Sequence, residues 1–331
     1  MEAERLEFSK RGCQTLGALQ AIVFDITSRS SYATFLSDLA WGDNRAQEPL
    51  PPRNVGVLYA EQVNLPLAYR VYPGSISDVS TLKNLVTSLT VFDVQAVLLV
   101  MDRGFYSAAN LAHMKQAHLS LRIPLPRSVK LFSSLRAKYA RQLTNPVHSF
   151  LFKEAGLYHV EDSIVINTVD LQAHVYFDPR QRREQTARFL KDILALERLA
   201  TEQTVRTQQE ARPYLSKHMP GAAALFQLTG KTGQSAVTRK PRTLARRMAT
   251  MGTTSMLMDH SSLPPAPILD VYRRKDALEK SFDPLKHELD GKRLRGSTKD
   301  TAEGRLFLKF LGLILYSALE NTMRKHHLFQ Q

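Results

Sequence analysis

The run Val94–Met101, VQAVLLVM, constrains the fold more than any other stretch. It is short, aliphatic and interrupted by a single polar residue, so neither of its faces suits water. A strand buried on both sides requires a sheet with helices over both faces, which is an α/β architecture. The run ends in Asp102-Arg103-Gly104-Phe105, and Ser107 then stands where a helix over Ala108–Ala117 needs its cap.

A second apolar, β-branched run lies upstream. Ala21–Ile26, inside ALQAIVFDIT, carries Asp25 near its end. A carboxylate in a buried strand is costly unless it is paired or bound to a cation. Asp25 and Asp102 are each either a strand-end cap or a metal ligand, and periodicity alone leaves both readings open. Between them, Asn54–Glu61 and Pro66–Tyr72 read as a hairpin around residues 62–65. A helix is expected over Val79–Phe92, with Ser77-Asp78 at its start, and a further strand over Leu119–Pro124. The expected order is β-β-β-α-β-α-β, with acids ending the first and fourth strands. Residues 1–16 read as a polar lead-in.

The character changes at Arg127. Residues 127–146 are basic and mostly polar, and short β-like runs follow at Leu157–Val160, Ile164–Asn167 and Ala173–Phe177. A charged helix is expected over Arg180–Glu210, then a dense basic cluster at Thr238–Arg247 and a strand at Thr253–Met258. Ser261–Pro267, SSLPPAP, reads as a linker.

The linker delivers the chain to a helix over Ile268–Leu289. At about 100° per residue, Tyr272, Lys275, Glu279 and Lys286 share an arc of roughly 60°. Val271, Leu278, Phe282, Leu285 and Leu289 make a core-facing stripe beside them. One carboxylate and two ammonium groups therefore sit at the core's edge. A basic turn with Arg293 and Arg295 follows. The last helix is capped by Asp300 or Thr301 and is apolar almost all round, so it is expected to be buried against the sheet.

Lys and Arg number 45 against 31 Asp and Glu, a net charge of +14 that favours a polyanionic partner, nucleic acid ahead of an acidic membrane. Cys13 is the only cysteine, which excludes an internal disulfide and a cysteine-based zinc site and fits a reducing cytoplasm. The longest apolar run, Leu306–Leu319, is shorter than the roughly 20 residues a bilayer needs and contains Lys309, so no membrane is expected. Asp25, Asp102 and Glu279 would offer hard oxygen ligands of the kind that hold Mg²⁺ or Mn²⁺, and two such ions could clamp an in-line phosphoryl displacement. The residues alone reach a basic α/β protein with three candidate metal carboxylates.

The string Tyr272-x2-Lys275-x3-Glu279-x6-Lys286 resembles the Y-(2)-R-(3)-E-(6)-K signature of bacterial insertion-sequence transposases of the DDE type. VFDITSRSSY and VLLVMDRGFYSAANL resemble the segments that carry that family's two aspartates. LPLAYRVYPGSISDVSTL, RRKDALEKSFDPLKHELDGKRLR and GRLFLKFLGLILYSAL resemble its intervening and closing parts, in the same order. The resemblance covers residues 16–126 and 266–322. It implies a ribonuclease-H-like mixed sheet flanked by helices, built from residues 1–126 and 266–331 and interrupted by a partly β insertion domain at 127–265. It implies a DDE transposase that cleaves and transfers DNA strands at element ends with two Mg²⁺ or Mn²⁺ held by Asp25, Asp102 and Glu279. Tyr272, Lys275, Lys286, Arg293 and Arg295 would contact double-stranded DNA. A homodimer would synapse two ends, and the setting would be the bacterial cytoplasm, at the nucleoid.

Three departures stand out. Lys275 replaces the signature arginine and cannot make its bidentate fork. Pro284 falls between Glu279 and Lys286, where it would break or restart the helix. Only 24 residues precede Asp25, fewer than an end-binding region takes. The alternatives are a truncated, catalytically silent DNA-binding remnant and a cellular metal-dependent nuclease on the same fold.

Overall fold

The computed structural model of the chain describes residues 2–17, 19–30, 52–76, 78–92, 94, 97–202, 215–217, 219, 221–229, 236–280 and 298–328. In chain order the principal elements are α1 (Glu2–Leu16), β1 (Ala21–Ser30), β2 (Pro52–Ala60), β3 (Leu65–Pro73), α2 (Asp78–Val91), β4 (Leu98–Met101), α3 (Ala108–Gln116) and β5 (Ser120–Pro124). Then come α4 (Lys130–Lys138), β6 (Ser149–Phe152), β7 (Ala155–Ile166), β8 (Val169–Phe177), α5 (Pro179–Glu202), β9 (Phe226–Thr229), β10 (Ala236–Arg239), α6 (Pro241–Ala249), β11 (Thr253–Met258), α7 (Pro265–Lys280) and α8 (Lys299–Lys325).

Nine strands form one mixed sheet in the order β3-β2-β1-β4-β5-β11-β8-β7-β6. β2 runs antiparallel to both β1 and β3, whereas β1, β4 and β5 run parallel. This is the ribonuclease-H-like α/β arrangement expected from the sequence. The chain divides into two compact units. Unit 1 comprises Met1–Pro126, Glu161–His174 and Met256–Gln331; unit 2 comprises Arg127–Val160 and Val175–Ser255.

In unit 1, alternation along the strands sends Val23, Val55, Val57, Tyr59, Tyr69 and Val100 to one face. Leu306, Phe310 and Leu313 of α8 cover that face, and Val271 of α7 packs beside them. Three such apolar side chains contribute at most about 9 kcal/mol by area. Phe24 points to the opposite face and meets Phe105 at 5.1 Å between ring centroids. Gly56 is required there, because a Cβ would stand 2.7 Å from the Phe24 ring.

Unit 2 has its own core of Phe189, Ile193, Leu196, Leu215, Leu225, Phe226 and Met251. Asp178 starts α5 by accepting the Gln181 amide at 3.0 Å, with Pro179 in the first turn. Gly252 turns at φ +71° where the Asp178 amide donates to its carbonyl at 2.8 Å.

Four local expectations change. β1 continues past Asp25 to Ser30 in unbroken register with β2, so Asp25 lies inside the strand rather than at its end. Residues 2–16 form a helix rather than a lead-in, burying Ser9 and Cys13 one turn apart. α8 is capped by Thr298, whose hydroxyl accepts the Thr301 amide at 3.2 Å, not by Asp300 or Thr301. α8 also buries one face only: Leu308, Leu315 and Leu319 are exposed among the described residues. By length and composition alone α8 could cross a membrane, but its Leu306, Phe310 and Leu313 are packed on the sheet.

Candidate active site

β1 and β4 are adjacent and parallel, and their register pairs Phe24 with Met101. The next residues are Asp25 and Asp102. Neighbouring strands lie about 4.8 Å apart, so the two aspartates start from nearly the same level, Asp25 midway along β1 and Asp102 just past the end of β4. Their direction follows from alternation. Asp25 is two residues past Val23 and directly opposite Val57, both of the core face covered by α7 and α8. Asp102 is two residues past Val100 of the same cluster and keeps an extended backbone, φ −78° and ψ 161°. Both aspartates are half-buried.

The strand-end cap reading of Asp102 meets a specific observation. Asp102 stands at the N-cap of a one-turn 3-10 helix, Arg103–Phe105, yet its side chain makes no capping hydrogen bond. Ser107 does cap, accepting the Asn110 amide at 3.0 Å.

α7 packs along β4 and is held over this face at several points. The Arg122 guanidinium of β5 donates to the Ile268 carbonyl at 3.1 Å. Arg274 pairs with Glu61, just past β2, at 2.8 Å, and with Asp270 at 3.0 Å. Glu279 lies in the last turn of α7, one helical turn past Lys275. Tyr272 is half-buried. Lys275 is 1% exposed, so it sits inside the core's edge rather than on the surface. Lys286, Arg293 and Arg295 lie outside the described residues, as does the stretch containing Pro284.

Sequence reasoning missed two features. Arg274, beside Lys275 on α7, ties that helix to the sheet through Glu61; an acid just past the end of β2 was the available signal. The basic stretches at 127–146 and Thr238–Arg247 were legible, but the full segregation of the charge was missed. Unit 2 carries 21 Lys and Arg against 7 Asp and Glu, the whole net charge of +14, while unit 1 has 24 of each. Within unit 2, Arg242 and Arg246 are exposed one turn apart on α6, and Arg180, Arg182, Arg183, Arg188 and Arg198 are exposed along α5. Burial, and then the neighbouring Arg182 guanidinium, push Arg136 below its ordinary value.

A ribonuclease-H-like mixed sheet with Asp25 inside its first strand and Asp102 just past its fourth defines the α/β class to which the chain's fold belongs. Within it, the model of the Transposase DDE domain family matches residues 21–315. The chain belongs to that family. A comparison with curated proteins found no match. Among solved structures, a piggyBac transposase synaptic complex with hairpin DNA, determined by cryo-EM, is similar with a TM-score of 0.44 and 7% identity. That match covers 93% of this chain and 49% of the other, so the chain spans about half the length of that relative.

Proposed function

We propose that this transposase domain cleaves DNA strands at the ends of a mobile element and joins them to a target, with Asp25, Asp102 and Glu279 holding two Mg²⁺ or Mn²⁺ ions. One observation carries the reading: consecutive registers on parallel strands put Asp25 and Asp102 side by side, on the face that the helix bearing Glu279 covers. The donor set fits the ions, since carboxylate oxygens on rigid strands suit hard divalent cations and the Asp102 carboxylate is not spent on a cap. When bound, such ions stabilise the attacking and leaving oxygens of a phosphoryl transfer.

The protein's own contributions are separate. The strands hold the two carboxylates at fixed spacing. Lys275, inside the core's edge, is a positioning cation for that acidic centre rather than the outward phosphate contact its signature position implies. Tyr272, three residues before Lys275 on α7, would contact the DNA. Unit 2, with its surplus of 14 positive charges, holds the DNA backbone. Lys286, Arg293 and Arg295, which follow Glu279, extend the DNA contacts. The bacterial insertion-sequence branch, a synapsing dimer and a nucleoid setting belong to the same reading.

The test is cleavage of duplexes that carry the element's own ends, with and without Mg²⁺. The wild-type chain is expected to cut in Mg²⁺ and to prefer end sequence, and Asp102→Ala to cut at least about a thousandfold more slowly, roughly 4 kcal/mol. Equal cutting by the two proteins would sink the assignment, and cutting indifferent to end sequence would identify a nuclease instead.

A further inference from the structure

α8 keeps one face on the sheet and turns the other to solvent. Leu306, Phe310 and Leu313 are buried, whereas Leu308, Leu315 and Leu319 are 66%, 72% and 60% exposed. At about 100° per residue, Leu308, Gly312, Leu315 and Leu319 fall within an arc of roughly 60°, opposite the buried stripe. Their spacing alternates four, three and four residues, the seam of a helix that pairs with another helix. Single exposed leucines are ordinary, but a seam three turns long marks an interaction surface. Phe8 of α1 is 39% exposed and lies edge-on to Phe307 at 5.7 Å, which widens the apolar surface on one flank.

The other flank is charged. Arg305, Lys309 and Glu320 lie about 60°, 100° and 120° round from Leu308 in the same sense, with both cations toward the helix start and the anion toward its end. Arg324 engages Glu320 through Oε1 alone, at 3.1 and 2.6 Å. This pattern fits a second copy of the same helix running antiparallel. A two-fold axis level with the midpoint of Leu313 and Ile314 sets Leu308 beside the partner's Leu319. It also sets Leu315 beside the partner's Gly312, where the missing side chain leaves room. Each flank of such a pair meets the same flank of the other helix. At about 1.5 Å per residue the partner's Glu320 comes level with the midpoint of Arg305 and Lys309, about 3 Å along the axis from each. A parallel pair would set each cation against its own copy. The charges therefore select the orientation, and the leucines supply the energy. A bilayer fits less well, because α8 cannot cross one while Leu306, Phe310 and Leu313 stay on the sheet.

We infer that the outer face of α8 is a homodimer surface, formed by antiparallel pairing of α8 from two copies of this chain. It rests on the proposed function only for its use, as the contact that holds two element-end complexes together. One helix per copy is a small interface, so an affinity in the micromolar range is expected.

Sedimentation velocity of the full chain over a range of concentrations, without DNA or metal, tests this. A monomer–dimer equilibrium is expected, with Kd raised at least tenfold by Leu315→Glu. Leu194→Glu, at an exposed leucine of α5 in unit 2, should leave it unchanged. Both leucines are exposed, so both variants should melt as the wild type does. Cysteines read the register. Leu308→Cys/Leu319→Cys should cross-link two chains on mild oxidation, and Leu308→Cys alone should not. A chain that stays monomeric up to about 100 μM overturns the surface. So does a wild-type Kd in Leu315→Glu, an equal loss in Leu194→Glu, or cross-linking by Leu308→Cys alone as fast as by the pair. A monomer that binds anionic vesicles through Leu315 would make the face a membrane contact instead. Because no readout involves Asp25, Asp102 or Glu279, failure here leaves the cleavage reading standing, and failure of the cleavage test leaves the dimer standing.

Discussion

The two units of this chain use charge in opposite ways. Unit 1 balances 24 basic against 24 acidic residues, and its informative groups are few and placed: two aspartates at matching levels of adjacent strands and an internal Lys275. Unit 2 is three-to-one basic, with its arginines exposed along α5 and α6. A polyanion held by phosphate contacts needs many replaceable cations, whereas metal-dependent chemistry needs a few carboxylates at fixed spacing. On the proposed function, the contrast would give holding to one unit and cutting to the other.

Substitution of the paired aspartates should give the largest effect. Asp25→Asn is expected to reduce Mg²⁺-dependent cleavage at least about a thousandfold while leaving duplex affinity within about twofold, as read by gel shift. Parallel losses in both assays would erase the distinction between the units.

The glycines probe each unit's frame. Gly252→Ala puts a Cβ 2.5 Å from Arg182 Cβ and 2.6 Å from the Asp178 carbonyl, at φ +71°. Because backbone and left-handed strain add, about 3 kcal/mol of destabilisation is expected. Gly56→Ala meets the Phe24 ring at 2.7 Å, a side chain that can shift, and about 2 kcal/mol is expected. Urea melts should rank them in that order, with Gly252→Ala weakening DNA binding first and Gly56→Ala weakening cleavage first.

Acid should act on unit 1. Burial, and then the nearby Arg122, push His174 down to about 4. Its folded value is lower than its unfolded one, so the unfolded chain binds the proton first. Stability from this group is intact above about pH 6.5 and falls by about 3 kcal/mol as pH drops toward 4. His174→Gln should flatten that decline in denaturant titrations. A decline equally steep in the variant would assign it to other groups.

The gentlest test concerns unit 2. The double variant Arg242→Gln/Arg246→Gln is expected to weaken duplex binding about tenfold at moderate salt and to lower the salt slope by about two. The per-molecule cleavage rate at saturating DNA should hold.

The sequence made the sheet legible where the physics was local. Apolar runs ending in aspartate predicted β1 and β4, the hairpin gave β2 and β3, and Ser107 announced α3. α1 escaped because its buried residues, Ser9 and Cys13, are small and muted the apolar period. α4 escaped because its burial rests on Phe132 and Leu135 alone among charged neighbours. For α8, composition showed how apolar it is but not that the sheet takes one side of it, since that depends on tertiary packing. The aspartates were visible as candidates, but their common face required the pairing of Phe24 with Met101. The burial of Lys275 and the meeting of Arg53 with Glu303 depend on residues far apart in the chain, which no spacing rule reaches.

Counting Mn²⁺ bound by the intact chain in the presence of element-end DNA, by electron paramagnetic resonance titration, tests the carboxylate centre most directly. Two ions per chain are expected for the wild type and for Arg246→Gln. Asp102→Asn should retain the DNA but lose at least one ion. If Asp102→Asn binds both ions with wild-type affinity, the metal centre is not where the two strands meet.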